Sequence, residues 1–307
     1  MPTILPTPDL TGRVAVVTGA SDGIGVEIAT QLARAGAELI LPVRNAAKGE
    51  SAANAIRERV AGARVATRPL DLSSLDSVAD LTATLRAEGR PVHVLVNNAG
   101  VMTPPTRQET ADGFELQWGT NHLGHAALTL GLLPVLREGG ARVVHQTSIA
   151  ARSGGIDRAA VTTLEGYDAM AAYRSSKIAV AHFGRELHRR SRASDWGLTS
   201  TLAHPGVSPT NLLAAQPGLG RERETGARRV IRFLSRVGVT GTVASAALPA
   251  VLAATDPSAV GGEFYGPKRL IGGPPARIPL WPPLSDDAEA ARIWDETLQA
   301  IGTRFAV

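Results

Sequence analysis

The sequence predicts an α/β protein: a single-domain, Rossmann-type, doubly wound parallel sheet of about seven strands with helices on both faces. Three observations carry this. Short apolar runs alternate with helix-length amphipathic stretches from Arg13 to Gly266, the pattern of βαβ units. The first apolar run ends in a glycine cluster, "VVTGASDGIG". The chain has 307 residues, 44% hydrophobic and 20% charged, enough to bury one large α/β core.

The elements follow in order. Arg13–Gly19 reads as a buried strand, because its apolar residues run without a break. Ile24–Gly36 reads as a helix ended by a glycine. Glu38–Val43 is the next strand, and Pro42, which lacks a ladder donor, is expected to end it. Ala63–Leu72, Val92–Gly100, Ala141–Ser148 and Leu198–Gly206 follow as strands, each separated by a helix-like stretch. Gly262–Gly266 is a weak last strand. Beyond it, "GGPP" and "PLWPPL" read as an irregular, Pro-rich C-terminal extension (267–307), closed by a short helix near Asp286–Ile301. No repeat or linker divides the chain, so 1–307 reads as one domain, with 207–241 an insertion within it. In such sheets ligands sit beyond the carboxyl ends of the strands.

Composition excludes several classes of function. The net charge is +4 despite a pI of 9.9, because dense arginine sets the pI; nucleic-acid binding needs clustered charge and is not expected. There is no cysteine, which removes disulfides, thiolate catalysis and Cys-ligated metals. "MPTILPTPDL" has neither the basic start nor the apolar run of a signal peptide. No window reaches the ~18 apolar residues of a membrane span. A soluble, cytoplasmic protein is expected.

The glycine cluster places Gly19, Gly23 and Gly25 between a strand and a helix, with Ser21, Asp22 and Ile24 in the same turn. Glycines let a backbone approach a pyrophosphate, and the helix N-terminus beyond offers free N–H groups and a positive dipole end. The spacing differs from G-x-G-x-x-G, and without its strand-to-helix setting it would be only a turn. The end of the next strand selects the nucleotide. An acid there would bind a ribose 2′-OH, whereas an arginine accommodates a 2′-phosphate. The sequence offers Arg44 and no acid in "LPVRN", which favours NADP (NADPH) over NAD.

Lysine is rare: only Lys48, Lys177 and Lys268 stand among 32 basic residues. Lys177 lies four residues after Tyr173 in "YRSSK", so both project from one helix face. A fixed ammonium favours the phenolate and is expected to lower a hydroxyl pKa that is ordinarily ~10.

At this point the chain resembles the short-chain dehydrogenases/reductases over roughly Thr11 to Gly266. The resemblance rests on "TGASDGIG" (Thr18–Gly25), "DL" (Asp71–Leu72), "NNAG" (Asn97–Gly100), "TNHLGH" (Thr120–His125), "TS" (Thr147–Ser148), "YRSSK" (Tyr173–Lys177) and "HPGVSPT" (His204–Thr210), all in order. It implies that Tyr173 is the general acid in reduction and the base in oxidation. By the same resemblance Ser148 bonds the substrate oxygen, Lys177 holds the nicotinamide ribose, and Asn121 helps place a water in a proton relay. It further implies that Asp71 and Leu72 flank the adenine, that Asn98, Ala99 and Gly100 line the cofactor, and that Pro205, Gly206, Val207 and Thr210 close over the nicotinamide. "RNAAKGE", the long segment from Ser148 to Tyr173 and "GEFYGP" before a Pro-rich tail are similar to the retinol-dehydrogenase-like branch, which includes the protochlorophyllide reductases. That branch implies a lipophilic alcohol or carbonyl, or reduction of a C=C bond. The N-terminal anchor of many animal members is not expected here, and "HQTSIAAR" replaces the more usual "N-x-S-S" context.

Other features are read as structural. His122, His125, His145 and His204 show no metal-ligand spacing and read as packing and supporting hydrogen bonds; no metal is expected. Trp118, Trp196, Trp281 and Trp294 are scattered. Residues 221–238 carry six arginines on an amphipathic pattern. They read as a lid with its apolar face inward, or as a basic helix on an anionic membrane surface. The leading expectation is an NADP-dependent carbonyl reductase/alcohol dehydrogenase. The alternatives are an enone reductase and a non-catalytic NADP-binding regulator, against which the complete Asn121, Ser148, Tyr173 and Lys177 set argues. The family commonly pairs through its fourth and fifth helices; homodimer, homotetramer and monomer all remain open.

Overall fold

A computed structural model describes residues 5–209, 234–235 and 240–305. Within them, eight strands form one sheet: β1 (Val14–Val17), β2 (Glu38–Val43), β3 (Val65–Pro69), β4 (Val94–Asn97), β5 (Arg142–Gln146), β6 (Thr199–Ala203), β7 (Phe264–Arg269) and β8 (Gly272–Ile278). Their order is β3-β2-β1-β4-β5-β6-β7-β8. The first seven pair in parallel, and β8 returns antiparallel on β7.

The described helices cover both faces. On one lie α1 (Gly23–Arg34), α2 (Ala46–Arg59) and α8 (Val243–Thr255); Ile28, Leu32, Ile56 and Val251 pack there on Leu39, Leu41 and Val96. On the other lie α3 (Leu75–Ala87), α4 (Gly124–Gly131), α5 (Leu133–Glu138), α7 (Ala169–Ala193) and α9 (Asp287–Ile301); Leu81, Leu128, Phe183 and Trp294 share that core with Val16 and Val143. The short α6 (Arg158–Thr162) leads into α7. Helices start where the sequence supplies a cap. Asn45 accepts from Lys48 N, Asp168 from Met170 N and Ala171 N, and Asp286 from Ala288 N and Glu289 N. Each such cap contributes about 1 kcal/mol.

β2 spans Glu38–Val43 as the sequence predicts, ending one residue after Pro42. Glu38 N donates to Arg13 O, and Leu39 N donates to Arg64 O, so even-numbered residues of β2 face β1. Pairing with β1 stops at Ile40, so the donor that Pro42 lacks falls beyond that ladder. The tail after Gly266 is not irregular: β7 continues to Arg269, and β8 adds an eighth strand. Pro267 stands opposite Pro275, so both missing donors fall on one pair that exchanges no bonds, and among the described residues the outer edge faces no further strand.

Candidate active site

The site lies at the carboxyl edge of β1, β4, β5 and β6, and each strand delivers one part of it. β1 ends in the glycine turn. Gly19 has φ +68°, and a Cβ there would sit 2.8 Å from Ala99 Cα. A Cβ on Gly25 would sit 2.2 Å from Gly19 O. Only glycine at both positions lets the turn fold against the end of β4. Thr18, given no role by the sequence, locks the junction: its Oγ1 accepts from Asn98 N (2.9 Å) and Ala99 N (3.0 Å). Asn98 Nδ2 donates to Thr18 O (2.9 Å). Asp22 caps α1 by accepting from Gly23 N (2.6 Å), and Ile24 packs against the core on the α1 side.

The end of β5 and the two residues after it contribute three consecutive residues, each bound to α7. Gln146 O accepts from Lys177 Nζ (3.0 Å), and Thr147 Oγ1 donates to Lys177 O (2.6 Å). The Ser148 and Tyr173 side chains are hydrogen-bonded to each other. Ser148 Oγ also accepts from Ala150 N (3.2 Å), capping the 3₁₀ turn Ile149–Arg152. Tyr173 and Lys177 lie one turn apart on α7 and are each 4% exposed.

Asn121 comes from a π-helical turn, Trp118–Leu123, that precedes α4. Its Oδ1 accepts from Val101 N (2.8 Å), and its Nδ2 donates to Val101 O and Ser176 Oγ (both 3.0 Å). A Cβ on Gly100 would lie 3.1 Å from Asn121 Oδ1 and 3.4 Å from Lys177 Nζ. "NNAG" therefore passes directly over both side chains. π-turns of this kind recur at functional sites.

The electrostatics differ from the sequence expectation in one respect. Burial raises the Tyr173 hydroxyl above its usual value, and the bond to Ser148 pulls it back only in part; the net direction is upward, not the lowering expected from Lys177. Burial lowers Lys177 to about 8. The buried ring of His125 bridges the site: Nδ1 lies 2.9 Å from Asn121 O, and Nε2 lies 2.9 Å from Thr18 Oγ1. Because a carbonyl can only accept, Nδ1 carries the proton and Thr18 donates to Nε2. His122 meets Thr297 Oγ1 at 2.8 Å. These are the supporting bonds expected of the histidines; among the described residues no cluster of three His, Asp or Glu is placed to hold a metal ion.

The remaining candidates are placed as follows. Asp71 lies just past β3, where its Oδ1 accepts from Ser73 N and Oγ (2.9 and 2.6 Å); Leu72 is buried in the core. Pro205, Gly206 and Val207 follow β6. Val207 N donates to Ile271 O (3.1 Å), so the β7–β8 hairpin carries this loop. Thr210 and most of 221–238 lie outside the described residues. Arg44 is exposed at the end of β2 and has no ion pair among the described residues. A cleft of about 650 Å³ opens nearby, lined by Ser21, Asp22, Gly23, Lys48 and Ser51. Lys48 was missed as a functional candidate; its signal was the rarity of lysine and its position four residues after Arg44.

This arrangement fits a dinucleotide. The glycine turn is held open by backbone contacts at the N-terminus of α1, and exposed cations flank one end. A family model described as short chain dehydrogenase matches residues 13–217. The chain belongs to that family. Mouse polyprenol dehydrogenase is 44% identical over 216 residues, 69% of this chain and 63% of that protein. Mouse retinol dehydrogenase 12 is 44% identical over 64% of this chain and 61% of that protein. The matched region thus spans under two thirds of these relatives' length, and they place the chain in the retinol-dehydrogenase-like branch. Among solved structures, an uncharacterized protein from Mycobacterium paratuberculosis superposes with a TM-score of 0.79 at 32% identity, covering 99% of both chains. Pseudomonas aeruginosa RhlG, solved as its NADP complex, gives 0.61 at 25% identity over 85% of this chain and 97% of that one. In this member of the short-chain dehydrogenases, no helix among the described residues is long and apolar enough to cross a membrane.

Proposed function

We propose that this protein is an NADP-dependent oxidoreductase that interconverts a lipophilic ketone or aldehyde and the corresponding alcohol, with Tyr173 as general acid and base. The observation that carries the reading is the convergence of the Ser148 hydroxyl, the Tyr173 hydroxyl and the Lys177 ammonium at one strand edge, beside Asn121. The cofactor supplies the hydride. Ser148 and Tyr173 present two hydroxyls to one carbonyl oxygen, so the oxygen is held where negative charge develops. Tyr173 gives its proton to that oxygen in reduction and takes one in oxidation. Its upward pKa shift keeps the donor form intact at neutral pH. Lys177, a compact cation, stabilises the phenolate left behind and can donate to the ribose hydroxyls. Gly19, Ser21, Asp22, Gly23, Ile24 and Gly25 receive the pyrophosphate side, Asp71 and Leu72 the adenine, and Pro205 to Val207 the nicotinamide.

Two further observations support the finer assignments. Arg44 and Lys48 are both exposed just past the end of β2, and β2 ends with no acid, which favours NADP. Retinol and polyprenol, named in the relatives, are long apolar alcohols, which favours a lipophilic substrate.

The test is NADPH consumption against aldehydes, ketones and enones, with NADH alongside. Tyr173→Phe is expected to lower kcat by about 10²–10⁴. Arg44→Ala with Lys48→Ala is expected to raise KM for NADPH and leave KM for NADH nearly unchanged. Undiminished turnover in Tyr173→Phe would overturn the proton-transfer role. Saturated carbonyl products from enones would move the assignment to C=C reduction.

A further inference from the structure

Gln117 immediately precedes the π-helical turn that carries Asn121 and is fully buried. Its side chain ends among three segments. Oε1 accepts from Thr103 N at 2.7 Å. Nε2 donates to Ala169 O and to the Tyr167 hydroxyl oxygen, both at 2.9 Å. Thr103 closes the loop that begins at Asn98 and crosses Asn121 and Lys177. Ala169 opens α7, one turn before Tyr173. Glu115 backs the arrangement: it accepts from the Tyr167 hydroxyl and from Trp118 N, both at 2.7 Å.

The polarity of these contacts leaves no freedom. An amide N–H such as Thr103 N can only donate, and a carbonyl such as Ala169 O can only accept. Only a side chain offering an acceptor on one side and a donor on the other satisfies both. Thr103 also has φ +44°, a conformation that costs a β-branched residue of order 1–3 kcal/mol and persists only where its surroundings fix it. Gln117 is one of the groups that fix it. Backbone strain, a buried amide and three converging segments meet where the spacing of Tyr173, Asn121 and the 101–103 loop is set.

We infer that Gln117 is a positioning residue for the reaction: its amide sets the distance between Tyr173, Asn121 and the 101–103 loop, and so the alignment of the proton donor with the substrate carbonyl. The inference rests on the reading of Tyr173 as the proton-transfer group. A displacement of about 1 Å in such a site costs on the order of 10²-fold in rate.

The experiment uses Gln117→Met, Gln117→Glu and Tyr173→Phe in the full chain, with kcat, both KM values, the pH–rate profile, NADPH-binding stoichiometry and thermal midpoint measured together. Gln117→Met keeps the length and loses the bonds to Thr103, Ala169 and Tyr167. It is expected to lower kcat per NADPH-binding site by about tenfold or more, with KM for NADPH within about twofold, because Thr18, Asn98 and Arg44 are untouched. Gln117→Glu provides the signature. Its protonated form again donates to Ala169 O and accepts from Thr103 N, whereas its ionised form faces Ala169 O and Glu115 with no donor. Its activity is therefore expected to recover as pH falls, through an ionisation absent from the wild type. If Gln117→Met fails to fold, Gln117→Glu carries the test alone. Wild-type kcat per binding site and an unaltered pH profile in these variants, with Tyr173→Phe inactive, would overturn the inference and leave the proposed function standing. Retained turnover in Tyr173→Phe would instead remove the reading on which it rests.

Discussion

Lys177 is a buried cation with a carbonyl, Gln146 O, for a partner and no carboxylate among the described residues. Burial lowers its pKa to about 8. The charged form, which stabilises the phenolate in the proposed mechanism, is present below that value and is lost as pH rises through it. NADPH-dependent reduction should therefore show kcat/KM level near neutrality and falling above about pH 8, by up to about tenfold per unit. A profile flat to pH 10 would remove the ammonium from the mechanism. Residues like Tyr173 and Lys177 are legible in a sequence because their chemistry depends on a short spacing on one helix. Gln117 and Thr18 are not. Their partners sit at 103 and 169, and at 98–99 and 125, and a lone Gln or Thr carries no chemistry until those segments meet.

Helix α9 shows what an element adds. Trp294 is 1% exposed, stacks on Phe183 of α7 with ring centroids 5.1 Å apart, and lies under the Arg190 guanidinium at 4.7 Å. Thr297 reaches His122 beside Asn121. Trp294→Ala should lower stability by about 3–5 kcal/mol, the cost of an unfilled cavity of that size, and Trp294→Phe by less; chemical denaturation measures both. Equal stability would mean that α9 does not pack on α7 as described. The helix itself was readable near 286–301 from its periodicity, but its partner was not, because an apolar stripe does not name the surface it covers. β8 was hidden for a different reason. Glycine and proline read as loop, and only the pairing of Pro267 with Pro275 shows how a strand tolerates them. The parallel strands were legible because unbroken apolar runs have few other homes in a soluble protein.

At the scale of the whole molecule, three histidines on three elements share the interior behind the site. Burial pushes His122, His125 and His145 each to about 3, and their mutual repulsion contributes for His122 and His145. An unfolded chain protonates them near 6.5, while the fold keeps them neutral until about 3. Their contribution is complete above pH 6.5 and is lost as pH falls below it, by up to about 1.4 kcal/mol per pH unit for each ring. Urea midpoints should drop between pH 7.5 and pH 5 at constant m; coincident curves would contradict the buried, neutral assignment. The bond between His122 and Thr297 also has a consequence in time. It joins residues 175 apart in the chain, a closure among the slowest a fold can make. Because synthesis proceeds from the N-terminus, the turn bearing Asn121 leaves the ribosome long before the helix that will cover it. The turn bearing Asn121 thus gains its Thr297 contact only after a far later segment has been made.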